Sequence, residues 1–216
     1  MKKISIIFVH LIFISLTTYS ALAHVPFVEH LDFTEKKPFR IWGDVENSKA
    51  IYAWFKTGED VDVYRFKVTE PLRLLVSSVV PICQGYEDLL PWFAVVGPGL
   101  PETEETLPFD IPEGYGAVVV KNLEPGESRA TFCEPFGGKH YYLGPLFDQQ
   151  VSEPGTWYIY YWDPYEMGGD YVATIGFKEE PSFIEQIISM IYTPLIRLNL
   201  ELHTQCPQDD LDPCGR

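Results

Sequence analysis

The sequence predicts an all-β fold, an antiparallel β-sandwich of jelly-roll type with one C-terminal α-helix. Three observations predict it. Short runs rich in β-branched and aromatic residues recur along the middle of the chain. They are separated by Gly, Pro and acidic turn signals such as Gly97-Pro98-Gly99, Glu124-Pro125-Gly126 and Glu153-Pro154-Gly155. A helical period enters after residue 180, where the strand runs have ended.

The first element is a leader. Lys2 and Lys3 give a positive head, residues 4–16 an apolar stretch interrupted by His10, and Ala21 and Ala23 place small residues three and one before a cleavage point. Thr17 and Thr18 end the stretch short of the ~18 apolar residues a bilayer span requires. The expectation is a cleaved signal peptide over 1–23 and a secreted or periplasmic mature protein that begins at His24, without a transmembrane span.

A sandwich domain is predicted over 24–180, with strands at 50–55, 61–68, 72–80, 92–96, 117–121, 140–143, 156–162 and 170–177. Within 61–68, alternation puts Asp62, Tyr64, Phe66 and Val68 on one face, the better core face. The proline-punctuated acidic stretch 101–114 reads as an exposed loop. A third region, 181–216, holds the helix and a disulfide-closed tail. Ser182 and Glu185 form a capping box, Phe183, Ile184, Ile187, Ile188 and Ile191 make an apolar stripe expected to pack on the sandwich, and Pro194 is expected to end the helix.

The chain carries a net charge of −15, and loss of the leader makes it two units more negative. Phosphate affinity depends on clustered Lys and Arg, so nucleic acid is excluded as a partner. The four cysteines, Cys83, Cys133, Cys206 and Cys214, lie beyond the leader, and an even count in an oxidising compartment reads as two disulfides. Of the three possible pairings, the short Cys206–Cys214 loop together with Cys83–Cys133 is favoured. The acidic turn Asp209-Asp210 with Asp212 lacks the glycine and terminal glutamate of a dedicated calcium loop and reads as solvated.

Two candidate sites stand out. A mature N-terminal His24 offers its amino group and ring Nδ1 as a chelate, and a third nitrogen from a distant histidine completes a set suited to copper(II). His140, between the Gly137-Gly138 turn and Tyr141-Tyr142, is the first choice for that nitrogen and His203 the second, with His30 third. The other candidate is aromatic. Trp157, Tyr161 and Trp162 belong to a dense ring cluster that can stack on sugars, although alternation requires at least one face of that strand to be core. No ordered Ser, His, Asp arrangement and no distinguished carboxylate pair marks a catalytic site.

Asp62-Val63-Tyr64-Arg65-Phe66-Lys67-Val68, followed later by Gly155-Thr156-Trp157-Tyr158-Ile159 and Gly169-Asp170-Tyr171-Val172-Ala173, resembles the bacterial pre-peptidase C-terminal domain. The resemblance covers about residues 50–177, with an insertion from 100 to 143, and implies a small jelly-roll module of secreted proteins. The layout Glu134-Pro135-Phe136, Tyr141-Tyr142-Leu143 and Thr156-Trp157-Tyr158 is also similar to that of uncharacterised exported prokaryotic proteins. His24 at a mature N-terminus resembles the ligand of histidine-brace copper proteins, the lytic polysaccharide monooxygenases and periplasmic copper carriers. The sequence thus predicts an exported binding protein with copper at His24. The alternatives are a glycan- or protein-binding module of the cell surface and a copper-dependent polysaccharide monooxygenase.

Overall fold

In the computed structural model, residues 24–135, 137–201 and 203 are described. The leader, Cys206, Cys214 and the acidic turn at 209–212 lie outside the described residues. The chain forms β1 (Val25–Val28), β2 (Phe39–Arg40), β3 (Lys49–Phe55), β4 (Val61–Val68), β5 (Leu72–Pro81), β6 (Trp92–Pro98), β7 (Tyr115–Val120), β8 (Thr131–Glu134), β9 (Lys139–Val151), β10 (Gly155–Trp162), β11 (Gly169–Ile175) and α1 (Phe183–Arg197).

Two sheets face each other, one in the order β1-β3-β11-β5-β9-β8 and the other β2-β4-β10-β6-β7. The predicted sandwich with a C-terminal helix is the observed fold. Most pairings are antiparallel, but each sheet ends in a parallel edge pair, β1 on β3 and β2 on β4. The two parallel strands come from the N-terminal segment, whose short runs carry too little periodicity to be read as strands.

Alternation sorts β4 as expected. Tyr64, Phe66 and Val68 lie in the core between the sheets with Trp157, Ile159 and Tyr161 of β10. Asp62 shares that face and is fully buried. Gly97 on β6 is required by this packing, because a Cβ there would lie 2.3 Å from the Trp157 ring.

The stretch 101–114 differs from its expected exposure. It crosses the outer face of the second sheet as a strap, and Leu107, Phe109 and Ile111 pack against Val63, Tyr160 and Trp162. The Phe109 ring stacks on Tyr160 with centroids 3.9 Å apart. Its acids face water while alternate apolar residues cover an aromatic face that would otherwise be wet.

The helix starts as predicted. Ser182 Oγ accepts from the Glu185 amide, and the Glu185 carboxylate accepts from the Ser182 amide at 2.7 Å. Its orientation differs in part from the expected one. Ile188 of the expected stripe packs on the core, and Glu185, Ser189 and Ile196 face the sandwich, whereas Phe183, Ile184, Ile187, Met190 and Ile191 are exposed. The reason is polar. Buried Lys49 lies 3.7 Å from Glu185 at the helix start, and buried Lys139 donates to the Ile196 carbonyl and pairs with Glu201 just past its end. Buried cations must be paired and hydrogen-bonded, and those bonds fix which face turns inward. Pro194 does not stop the helix, which runs to Arg197. A proline in the last turn removes one backbone donor, and this ring points to solvent.

Candidate functional site

The histidines of the expected copper set are not brought together. His24 immediately precedes β1, and its Nδ1 is hydrogen-bonded to Ser48 Oγ. Burial lowers the affinity of this ring for a proton. Val25 and Phe27 point into the core, so His24 belongs to the opposite, outer face of its sheet. His140 is on β9, which is not a neighbour of β1 in the sheet. It also alternates with Tyr141, which packs on the outer face with Ile196, and so points to the other side.

His203 is held at the far end of β1. Its Nε2 lies 2.6 Å from the Glu29 carbonyl, its amide donates to Asp170, and its ring stacks on Trp54. Glu29 is five residues along an extended strand from His24, roughly 16 Å at ~3.3 Å per residue. His30 lies one residue further, with Nε2 3.4 Å from the Tyr192 hydroxyl. Among the described residues no group of three metal-ligating side chains includes His24, His140 or His203, and copper at His24 stays an expectation.

The aromatic platform is corrected by its burial. Trp157 and Tyr161 are core residues, and Trp162 lies beneath Phe109 of the strap. None presents a ring face to a sugar, because the strap supplies cover that alternation alone does not reveal. Cys83 follows β5 and is buried, and Cys133 sits on β8. Neither is a free thiol, and their pairing with one another stays an expectation.

A different cluster comes together from the N-terminal segment and β4. Oxygens of Glu29, Asp32 and Asp62 lie within 4.8 Å of one another. Glu29 follows the edge strand β1 of the first sheet, Asp62 belongs to β4 of the second, and Asp32 lies on the connection between them. That connection is tied to β4 where the Val63 amide donates to the Phe33 carbonyl at 2.5 Å. The cluster therefore sits where the two sheets meet at one end of the sandwich.

The cluster is buried and short of donors. Glu29 and Asp62 are both fully buried, while Asp32 opens toward solvent. Glu29 accepts from the Phe33 amide at 2.9 Å and from the Trp54 amide at 3.2 Å. Asp62 Oδ2 accepts from the Tyr171 hydroxyl at 2.8 Å, but its Oδ1, like Asp32 Oδ1, has no hydrogen-bond partner among the described residues. No lysine or arginine forms a salt bridge to any of the three among the described residues.

The electrostatics follow from this geometry. Burial pushes the Glu29 carboxyl up to about 8, opposed by the two backbone amides. Burial, followed by the nearby Glu29 charge, raises Asp62 well above the usual carboxylate range. Carboxylates crowded in this way must hold protons or share a cation. Sequence reading missed the cluster because Glu29 and Asp32 stand in an unremarkable acidic segment. The available signal was Asp62 on the core face of its strand.

No family model and no curated protein matches this chain. Solved structures similar to it include the pre-peptidase C-terminal domain of a collagenase from Bacillus anthracis, at 15% identity over 68% of this chain and 97% of that one, with a TM-score of 0.35. This is the family that the strand motifs resemble. A second is PliG of Salmonella Typhimurium, a periplasmic inhibitor of g-type lysozyme, at 16% identity over 65% of this chain and 98% of that one, with a TM-score of 0.31. Both are likenesses of fold alone.

Proposed function

We propose that this chain is an exported β-sandwich binding module that takes a hard divalent cation of calcium type at Glu29, Asp32 and Asp62. The observation that carries the reading is the fully buried Asp62, whose Oδ1 has no hydrogen-bond partner among the described residues and whose carboxylate lies within 4.8 Å of two others. All three ligands offer oxygen, which suits calcium or magnesium and disfavours copper. Two oxygens on opposite sides of a calcium ion, each at ~2.3–2.6 Å, stand up to ~5 Å apart. The 4.8 Å limit on the cluster suits that size. Asp32 is the least buried of the three, and waters entering on its side would complete a calcium shell.

The cation has a structural task in this reading. It joins the N-terminal edge strand to the second sheet, holding the module in one shape outside the cell, where calcium is plentiful. No helix among the described residues is long and apolar enough to cross a membrane. The rigid module then presents its surfaces to a cell-surface protein or glycan.

The test is thermal unfolding of the mature chain with chelator and with millimolar calcium, compared with Asp62→Asn. Saturating calcium at ~100 times its Kd contributes about 2.7 kcal/mol, a rise of about 5–10 °C for a chain of this size. The variant, which keeps an acceptor for the Tyr171 hydroxyl and loses the carboxylate, melts in chelator near the native temperature and does not respond to calcium. An equal response of both proteins, or of neither, contradicts the site.

A further inference from the structure

A second, chemically opposite site lies at the β2 edge of the other sheet. A cavity of about 310 Å³ opens there, lined by Arg40, Trp42, Arg65, Lys67 and Thr156 among others. Arg40 and Arg65 are register partners on the parallel strands β2 and β4, so their side chains leave the same face side by side. Lys67 lies two residues further along β4 on that face. Like charges placed opposite one another across a sheet destabilise it.

Among the described residues no ion pair relieves this crowding. The chain holds 31 acidic residues against 16 lysines and arginines. Even so, no carboxylate forms a salt bridge to Arg40, Arg65 or Lys67 among the described residues. All three cations are exposed around the cavity. On so acidic a protein, three neighbouring unneutralised cations at a concave site mark a place where the negative charge is brought by a ligand.

The wall of the cavity narrows the ligand class. Trp42 is 44% exposed, and its ring is fixed edge-on against Phe27 with centroids 6.0 Å apart. An indole held in this way offers a stacking surface for a sugar ring, and the paired guanidinium groups match a carboxylate geometry. We propose that this groove binds a short anionic saccharide carrying uronic-acid carboxylates, the ring lying on Trp42 and the carboxylates on Arg40 and Arg65. The surrounding acidic surface repels long polyanions, which restricts the site to chain ends and short oligomers. This site stands on the opposite charge from the carboxylate cluster and does not depend on it.

Titration calorimetry of the mature chain with tri-galacturonic acid tests the proposal, with maltotriose as the neutral control and tri-glutamate as the acidic peptide control. The expected result is binding of tri-galacturonic acid that weakens as salt is raised and is absent with maltotriose. Binding falls at least tenfold in Arg40→Ala/Arg65→Ala and about fivefold or more in Trp42→Ala. These positions are exposed, and unchanged melting of the variants shows that they fold. No binding of tri-galacturonic acid overturns the site. Equal binding of tri-glutamate with no effect of Trp42→Ala overturns the saccharide assignment in favour of an acidic peptide.

Discussion

The Tyr171 hydroxyl donates to Asp62 Oδ2 at 2.8 Å inside the sandwich. This is the sole hydrogen bond made by the Asp62 carboxylate among the described residues, and the same hydroxyl lies 3.0 Å from that of Tyr64. Replacing Tyr171 with Phe keeps the ring and its stacking on Phe55 but leaves Asp62 and Tyr64 without that partner. Urea unfolding of Tyr171→Phe in chelator is expected to show a loss of about 1–3 kcal/mol, the cost of an unsatisfied buried acceptor. A change within about 0.5 kcal/mol contradicts the importance assigned to this bond.

The exposed part of the helix stripe makes a prediction that runs against its composition. Ile187 and Ile191 do not pack on the sandwich, so Ile187→Gln and Ile191→Gln are expected to alter stability by no more than about 0.5 kcal/mol. Ser189 is fully buried and donates to the Glu185 carbonyl at 2.9 Å. Ser189→Leu overfills that contact and is expected to cost about 1–3 kcal/mol. The opposite ranking in denaturant unfolding shows that the apolar stripe is the buried one.

The Lys139–Glu201 pair anchors the end of the helix from within the protein. Lys139→Met or Glu201→Gln alone strands or weakens a buried charge, with an expected cost of about 3–5 kcal/mol for the lysine replacement. The double replacement removes both charges and is expected to recover most of that loss. A double-mutant cycle measures the coupling, and additive losses contradict it.

Alkaline pH tests the core. Burial raises the Tyr52, Tyr141 and Tyr161 hydroxyls above the ordinary phenol value of about 10. A group whose folded pKa is raised contributes stability that is fully present below the unfolded value and is lost as pH climbs above it. Tyrosinate absorbance is therefore expected to rise in a smooth exposed phase, followed by a cooperative step that coincides with unfolding by circular dichroism. Smooth ionisation of all tyrosines in a folded protein contradicts the burial.

Period-2 alternation was enough to place Tyr64, Phe66 and Val68 inside, because a strand buried on one face must alternate. The capping box at Ser182 and Glu185 was equally legible, because it depends only on local spacing. What local pattern could not supply was the choice between two faces when both are apolar or both are covered. Trp162 is covered by Phe109 from a stretch that reads as loop, and α1 turns Glu185 and Ser189 inward beside Ile188 and Ile196, with Lys49 and Lys139 arriving from distant strands. The carboxylate cluster has the same origin. Glu29 and Asp32 acquire meaning only when a parallel edge pairing sets β1 beside β3 and the following connection meets β4. The copper expectation rests on His24 alone, because no motif around His140 or His203 marks either as its partner.

Calorimetric titration of the natively processed chain with calcium, and separately with copper(II), decides whether the carboxylate cluster holds a cation. One-to-one calcium binding is expected, abolished in Asp62→Asn and unaffected in His24→Ala. Tight copper binding lost in His24→Ala, with no calcium binding to the native chain, would contradict it.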